Sequence, residues 1–188
     1  MLHNHCNQGD IKDDIAEILV SEEEIRQAVK TIGAQICRDF EGEDLVVIGI
    51  LKGAVAFMAD LIQEIHIPIE IDFMAVSSYG QGTTSTGEVR IYKDLDISVE
   101  GRSVLIVEDI IDTGITLSYL KRVMLSRGAK DVSIATLLTK PSRRERHVAL
   151  DYIGFEVEDK FVVGYGIDYA EHYRNLPFVG VLKPEIYG

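Results

Sequence analysis

The chain has 188 residues, 46% of them apolar, which is enough for one sizeable hydrophobic core and argues against a second domain. Its 31 acidic residues outnumber its 19 basic ones, and the formal net charge is -12. Such a surface repels polyanions, so we expect no binding to nucleic acid or to anionic membranes, and any anionic ligand must meet local positive charge.

The cysteines and the first residues bear on the cellular compartment. Cys6 and Cys37 are the two cysteines, and they make no disulfide framework, as is typical of a reducing compartment. The first ten residues lack the basic and apolar regions of a signal peptide. The longest strongly apolar stretch, LVVIGIL, is far shorter than the roughly 18 residues that cross a bilayer. We therefore expect a cytoplasmic protein.

The chain begins with a polar segment and continues into a helix. Residues 1–14 are predicted to form a disordered tail, because they contain almost nothing to bury. The HNHC stretch within them could ligate a metal, but no further ligand cluster supports such a site. Ser21 and Glu24 then form a capping box, and apolar residues at helical spacing follow. This pattern predicts an amphipathic helix.

A strand, a helix and a second strand come next. Residues 45–51 are β-branched and apolar on both faces, which predicts a buried parallel strand, and residues 54–65 have a helical pattern. Residues 69–77 predict another strand. Residues 78–88 are rich in Gly, Ser and Thr and predict a long loop, and loops of this length are usually functional or disordered.

The second half of the chain continues the alternation of strands and helices. Strands are predicted over residues 89–93, 103–107 and 132–139, and a helix runs from near Thr116 to Gly128. Shorter segments at 152–157, 161–165 and 178–182 are expected to complete the sheet. The predicted fold class is therefore α/β, with a mainly parallel twisted sheet flanked by helices in a single domain over residues 15–188.

The stretch VLIVEDIIDTGITL, residues 104–117, carries most of the chemistry. Glu108, Asp109 and Asp112 follow a predicted strand, at the edge where parallel sheets bind ligands. The segment DTGIT lies at a helix amino terminus, where free N–H groups form a phosphate cradle. A plain helix cap with solvated loop charges is the alternative. Because two adjacent carboxylates repel phosphate, a polyol phosphate with Mg²⁺ accounts better for the whole set.

Two common nucleotide motifs are missing. The sequence has no GxxxxGK[ST], and GQGTTS departs from GxGxxG because Ser85 stands at the last glycine position. ATP hydrolysis and dinucleotide binding therefore lose their main support.

The stretch VLIVEDIIDTGITL resembles the phosphoribosyl pyrophosphate (PRPP) motif of the type I phosphoribosyltransferases. The resemblance extends from about Ile15 to Gly188 and is strongest to the bacterial hypoxanthine-guanine enzymes. It includes the segments GILKGA, DFMAVSSYG, GEVRIYKDLD, ATLLTKPSRR and FVVGYGIDYAEHYRNLPFVGVLKPEIY. The resemblance implies the type I fold with a small hood subdomain. It also implies a Mg²⁺-dependent purine salvage enzyme that assembles as a homodimer or homotetramer.

The resemblance implies roles for the donor-binding residues. Glu108 and Asp109 would bind the ribose hydroxyls and contribute to the metal site, and Asp112 would transfer a proton at purine N7. For that work Asp112 needs burial or a like charge such as that of Asp109. The 5'-phosphate would be bound by the main chain and hydroxyls of the following positions: Asp112, Thr113, Gly114, Ile115 and Thr116.

The pyrophosphate site is implied in the same way. Leu51, Lys52 and Gly53 would form its loop, with a cis peptide bond between Leu51 and Lys52. Arg174 would contact the pyrophosphate, and Asp168 would bind a water on Mg²⁺. From the residues alone, an ordinary strand-to-helix turn with an exposed lysine is the favoured explanation of residues 51–53, and Asp168 and Arg174 could be plain surface charges.

The purine side rests on three further residues. Lys140 would donate to the exocyclic O6, Phe161 would stack on the base, and main-chain groups of Val162 would bind its edge. Without the resemblance, Phe161 is simply a core residue. Ser78 and Tyr79 head the long loop and would close over the reaction to exclude water, although a mobile linker has the same composition.

The reaction implied is transfer of the phosphoribosyl group from PRPP to N9 of hypoxanthine or guanine, giving IMP or GMP and pyrophosphate. A PRPP-sensing regulator on the same fold is an alternative, but it should have a basic face, and the net charge of -12 opposes one. Xanthine is a nearer alternative substrate. Adenine is disfavoured, because Lys140 suits a 6-oxo group.

Overall fold

The computed structural model describes residues 10–78 and 89–188. In this part of the chain four helices accompany nine strands. The helices are α1 Glu22–Asp39, α2 Val55–Gln63, α3 Ile115–Ser126 and α4 Pro184–Tyr187. The strands are β1 Ile15–Val20, β2 Leu45–Leu51, β3 Ile69–Ser78, β4 Val89–Lys93, β5 Ser103–Ile111, β6 Asp131–Thr139, β7 Tyr152–Glu156, β8 Val162–Val163 and β9 Val179–Leu182.

Six strands form the main sheet, in the order β4-β3-β2-β5-β6-β7. Strands β3, β2, β5, β6 and β7 are parallel, and β4 adds an antiparallel strand at one edge. The central strands β2 and β5 are almost wholly buried, as their continuous β-branched sequences predict. This architecture confirms the predicted α/β fold class with a mainly parallel sheet.

Alternate side chains of the central strands enter two separate cores, because successive side chains of a strand point to opposite faces. One core packs α1 and α2 against one face of the sheet, with Val47 and Leu105 at its centre. The other packs α3 against the opposite face, around Ile48 and Ile106. The amphipathic α1 begins at the predicted capping box of Ser21 and Glu24.

A second, smaller sheet consists of β1, β9 and β8, all antiparallel. The prediction that the segments at 161–165 and 178–182 complete the main sheet is therefore wrong, and no strand had been predicted at β1. Val20, Val162 and Val179 pack into the same core as α1 and α2. This shared core favours the single domain over residues 15–188, which stays a prediction, as does the assignment of the small sheet to the hood.

Residues 10–14, which are included in the predicted tail, have a defined structure. Residues 11–14 form a 3-10 turn, capped by the Asp10 side chain on the Lys12 N–H. The Asp14 carboxylate accepts a hydrogen bond of 2.8 Å from the Tyr173 hydroxyl, and its carbonyl accepts from the Lys183 N–H. These contacts, which a local sequence pattern does not reveal, attach residues 10–14 to the small sheet. Residues 1–9 lie outside the described residues.

Among the described helices, none combines the length and apolar character needed to span a bilayer.

Candidate active site

The carboxyl ends of β2 and β5 open into one cavity of about 540 Å³. Parallel strands place these ends at the same edge of the sheet, so the loops that follow them become neighbours. The cavity is lined by residues 50–53, 76–77, 108–114 and 116–117, together with Asp168 and Arg174. Both predicted phosphate-binding segments therefore face the same space, although more than 50 residues separate them in sequence.

The loop after β5 presents main-chain N–H groups to the cavity. Gly114 is the N-cap of α3, with φ at 78°, and has no side chain to cap the helix, while the Thr113 hydroxyl accepts a long hydrogen bond of 3.4 Å from the Ile115 N–H. The Thr113 carbonyl accepts hydrogen bonds of 3.0 Å from the N–H groups of Glu145 and Arg146, which fix the turn. Apart from that of Ile115, the first N–H groups of α3 are thus available to an anion.

Glu108 and Asp109 lie within strand β5, whereas the sequence predicted them in the turn that follows it. Strand β5 continues to Ile111 and pairs with β6 through Ile111 and Thr139, so Glu108 and Asp109 belong to the strand and not to a turn. The cause is the continued parallel pairing with β6, which the local sequence does not reveal. Both side chains nonetheless line the cavity.

Glu108 and Asp109 form a closely coupled acidic pair. Burial raises the pKa of Glu108 well above its ordinary value, and the adjacent charge of Asp109 raises it further. Burial also raises the pKa of Asp109, although hydrogen bonds from Glu108 and from the Ile110 N–H act in the opposite direction. Groups that donate hydrogen bonds or carry positive charge are therefore favoured next to this pair.

Asp112 has a buried carboxylate oxygen that is suited to contact a ligand. Its Oδ1 is buried without a hydrogen-bond partner among residues 10–78 and 89–188. Buried carboxylate oxygens are nearly always hydrogen-bonded in folded proteins, so an unpartnered one facing a cavity indicates a ligand contact. The nearby Arg144 guanidinium binds the Thr139 hydroxyl at 2.6 Å. Burial lowers the pKa of Arg144, and the charge of Asp112 opposes that shift.

The loop at residues 51–53 is closely packed against the acidic pair. The peptide bond between Leu51 and Lys52 is cis, as the resemblance implied. A Cβ atom on Gly53 would overlap the Asp109 carboxylate, and one on Gly166 would overlap the Gly53 carbonyl. Glycine at both positions therefore allows this loop to lie between Asp109 and the segment that carries Asp168 and Arg174.

The two cationic side chains of the cavity are paired with carboxylates. Lys52 Nζ lies 2.8 Å from Glu171 Oε2, and Arg174 Nη2 lies 3.5 Å from the same oxygen. Arg174 Nη2 is also 2.9 Å from Asp168 Oδ1, and its Nη1 donates to the Gly166 carbonyl at 2.8 Å. The hydrogen bond from Lys52 holds the pKa of Glu171 below its ordinary value.

The three predicted purine-binding residues lie beside this cavity rather than in its lining. Lys140 is buried, its N–H donates to the Ile111 carbonyl, and its Nζ donates to the Lys160 carbonyl at 2.7 Å. It thus connects the end of β5 with the start of β8, where Phe161 and Val162 lie. Phe161 is 39% exposed, whereas Val162 is buried.

Comparison with known proteins decides the family. The phosphoribosyl transferase domain matches residues 16–170. The chain belongs to this family. It is 57% identical to the hypoxanthine-guanine phosphoribosyltransferase of Bacillus subtilis, over 94% of this chain and 98% of that protein.

Solved structures agree with this assignment. The crystal structure of a hypoxanthine phosphoribosyltransferase from Staphylococcus aureus has a TM-score of 0.91 and 50% identity, over 94% of this chain and 96% of that one. A hypoxanthine-guanine phosphoribosyltransferase from Bacillus anthracis has a TM-score of 0.84 and 46% identity, covering 90% and 99% of the two chains. The type I phosphoribosyltransferase fold is thereby confirmed.

Within this phosphoribosyltransferase fold, the structure brings together most of the predicted site residues. One cavity is lined by eleven of them: Leu51, Lys52, Gly53, Glu108, Asp109, Asp112, Thr113, Gly114, Thr116, Asp168 and Arg174. Ile115 lies in the same turn, as the first residue of α3. Ser78 ends β3, and Tyr79 lies outside the described residues.

Sequence reasoning missed three residues of the site. Ser77 lines the cavity and contacts the Tyr92 hydroxyl, Glu171 pairs with Lys52, and Arg144 approaches Gly114. The position of Glu171 between Asp168 and Arg174 in the polar segment DYAEHYR was the available signal. Nothing in the local sequence indicates that its partner lies 119 residues away.

Proposed function

We propose that this chain transfers the 5-phosphoribosyl group from PRPP to N9 of hypoxanthine or guanine, giving IMP or GMP and pyrophosphate. One observation carries the proposal. A single cavity combines the amino end of α3, an Asp112 carboxylate oxygen that has no partner among the described residues, and the cations Lys52 and Arg174. A donor with phosphate groups at both ends and a reacting carbon between them matches this distribution of charge.

The 5'-phosphate is bound at the loop after β5, by the N–H groups of residues 112–116 and the hydroxyls of Thr113 and Thr116. Their position at a helix amino terminus favours an anion, and the guanidinium of Arg144 approaches the same turn at Gly114. The ribose hydroxyls donate to Glu108 and Asp109; burial raises the pKa of both carboxyls, and the charge of Asp109 raises that of Glu108 further. Each hydroxyl supplies a proton that these carboxylates can accept in a hydrogen bond.

The pyrophosphate is bound by Lys52 and Arg174. Both already hold a carboxylate oxygen of Glu171 within 3.5 Å, so their side chains converge on a single anionic position. A leaving pyrophosphate develops charge as its bond to the ribosyl carbon breaks, and fixed positive charge at that position stabilises the transition state. The net charge of the whole chain, -12, disfavours the approach of other polyanions that could compete for this site.

The carboxylates of the cavity fit Mg²⁺ that enters with the donor. Within residues 10–78 and 89–188 no group of three or more His, Cys, Asp or Glu could hold a metal ion alone. Mg²⁺ is usually bound through one or two carboxylates plus substrate phosphates, and Glu108, Asp109 and Asp168 all line this cavity. The unpartnered Asp112 oxygen in the same lining also fits a hydrated cation. The ion would neutralise the charge of the pyrophosphate.

The purine base is bound between β5 and β8. The Leu182 N–H donates to the Phe161 carbonyl at 3.0 Å, and hydrogen-bonded pairs alternate along antiparallel strands. The N–H and C=O of Val162, the next residue, therefore face away from β9, towards the open side of β8. They can pair with a base edge while Phe161 stacks on the base and Lys140 donates to the 6-oxo group.

Asp112 accepts a proton in the chemical step. N9 attacks the ribosyl carbon, the bond from that carbon to the pyrophosphate oxygen breaks, and the electron pair leaves with the pyrophosphate. The proton on N7 of the base passes to the Asp112 carboxylate, which leaves the imidazole ring neutral. The carbon is oxocarbenium-like at the transition state, and no covalent enzyme intermediate is required. Closure of the loop headed by Ser78 and Tyr79 would keep water from this carbon.

The assembly and location of the protein are also part of this proposal. A homodimer or homotetramer accords with the resemblance, and light scattering during gel filtration would measure the number of subunits. A cytoplasmic location accords with a substrate set of phosphorylated metabolites.

The test of the function is a spectrophotometric assay with PRPP, Mg²⁺ and hypoxanthine, guanine, xanthine or adenine in turn. We expect turnover with hypoxanthine and guanine, less with xanthine and none with adenine. Addition of a chelator should abolish turnover, and excess Mg²⁺ should restore it. Activity that persists in chelator, or a preference for adenine, would contradict the proposal. A gel shift with duplex DNA in modest salt should show no complex.

A further inference from the structure

The side chain of Tyr187 lies against the proposed purine-stacking residue. Its ring centroid is 4.4 Å from that of Phe161, and the two planes differ by 14°, so the rings are stacked face to face. Tyr169 contacts the edge of Phe161 at 5.5 Å, with the planes at 82°. Phe161 is thus held by one ring on a face and by another at an edge.

Among the described residues, the contacts with Tyr187 and Tyr169 leave part of the Phe161 ring exposed. The residue remains 39% exposed although both tyrosines touch it. Helix α4 follows β9 directly, and β9 lies on one side of β8, so Tyr187 approaches Phe161 from the β9 side. The outward-facing main-chain groups of Val162 lie on the other side. A base paired with Val162 would therefore meet the face of Phe161 opposite to Tyr187.

We propose that Tyr187 is a positioning residue for the purine base, which it orients by stacking on the far face of Phe161. This inference rests on the proposed function. The Tyr187 ring restricts rotation of Phe161, and the stack of three rings is completed when the base arrives. Aromatic pairs contribute about 0.5–1.5 kcal/mol beyond area burial, which corresponds to a roughly two- to twelvefold change in affinity.

The attachment of α4 does not depend on Tyr187. Ile186 packs on the core of the small sheet with Leu182 and Phe178, and the Lys183 N–H donates to the Asp14 carbonyl. Tyr187 itself is 37% exposed. Removal of the Tyr187 ring should therefore leave α4 in place and remove only the ring that stacks on Phe161.

The experiment compares Tyr187→Ala and Tyr187→Phe with the unsubstituted chain. Ile153→Ala serves as the control, because Ile153 is 46% exposed on the edge strand β7 and lies outside the cavity lining. For each variant we would measure kcat, the KM values for hypoxanthine and for PRPP, the Kd for IMP by calorimetric titration, and the melting temperature.

We expect Tyr187→Ala to raise the KM for hypoxanthine and the Kd for IMP by about two- to twelvefold, with the KM for PRPP and the melting temperature unchanged. Tyr187→Phe should behave as the unsubstituted chain does. Unchanged base affinity would overturn the inference, and so would a lowered KM for hypoxanthine, which would mean that the ring obstructs the base. Equal increases in both KM values would indicate a merely structural role and would also overturn it. No IMP formation by the unsubstituted chain would instead refute the proposed function.

Discussion

Two loops at the same edge of the sheet are suited to hold phosphate groups in different ways. The 5'-phosphate loop, residues 112–116, offers main-chain N–H groups and is fixed by hydrogen bonds to the Thr113 carbonyl. The pyrophosphate loop, residues 51–53, offers the long Lys52 side chain, which is 67% exposed and acts together with Arg174. The first site is made of backbone and the second of movable side chains.

This difference matches what each phosphate does in the proposed reaction. The 5'-phosphate stays on the product, so a preorganised backbone site is suited to hold it through the whole cycle. The pyrophosphate must leave, and Glu171 offers a carboxylate that can replace it between Lys52 and Arg174. The comparison suggests that the retained group has a fixed site and the departing group an exchangeable one.

The largest effect is expected from Asp112→Asn, which separates chemistry from binding within the 5'-phosphate loop. The amide cannot accept the proton, so kcat should fall by about 10²–10⁴-fold. Donor binding should persist because main-chain N–H groups hold the 5'-phosphate. Steady-state kinetics and a PRPP titration measure the two effects. A variant with near-normal kcat would remove Asp112 from the chemistry.

Gly114→Ala should damage the same loop through its backbone. Gly114 has a φ of 78°, and an added Cβ would lie 2.7 Å from the Arg146 carbonyl. The left-handed conformation costs about 1–2 kcal/mol for alanine, and the contact adds to that cost. We expect the KM for PRPP to rise roughly 10- to 100-fold.

A matched control isolates the contribution of the loop. Gly101 has a φ of 73° with no heavy atom within 4 Å of an added Cβ. Gly101→Ala therefore has the same conformational cost and should lower the melting temperature without changing the KM for PRPP. Equal KM values in the two variants would mean that the shape of the 5'-phosphate loop does not matter for donor binding.

The sequence predicted the parts of the fold that depend on local patterns. The capping box of Ser21 and Glu24 begins α1, and the uniformly apolar residues 45–51 form a central buried strand. The extension of β5 to Ile111 and the separate sheet of β1, β9 and β8 could not be predicted in the same way. Both depend on pairing between distant segments, which side-chain periodicity does not encode.

The same distinction applies to the site. The motif at residues 108–116 indicated a phosphate cradle from its composition and its place before a helix. The pairing of Lys52 with Glu171 and the stacking of Tyr187 on Phe161 could not be inferred, because each joins chain segments that only the folded structure brings together. Most residues expected from the resemblance do line one cavity, and their individual roles stay predictions.

Lys52→Met tests the exchangeable site. The substitution keeps most of the side-chain stem and removes the charge that is proposed to contact the pyrophosphate. Hydrogen bonds to charged groups contribute about 1.5–3 kcal/mol, and the exposure of Lys52 places the effect at the lower end. We expect the KM for PRPP to rise about tenfold, with a smaller difference from the unsubstituted chain at high salt. A KM that does not change would exclude Lys52 from donor binding.

Glu171→Gln should have the smallest effect, and in the opposite direction. The substitution removes the carboxylate that pairs with Lys52 and Arg174, so the pyrophosphate group no longer has to displace an anion. Because exposed ion pairs contribute about 0–1 kcal/mol, the KM for PRPP and the inhibition constant of pyrophosphate should each fall by up to about fivefold. Glu22→Gln makes the same change of charge in an exposed pair with Arg26 on α1, outside the cavity lining, and should leave both constants unaltered. If Glu171→Gln instead weakens PRPP binding, the carboxylate helps to orient Lys52 and Arg174 for the donor, and the distinction between a fixed and an exchangeable site fails.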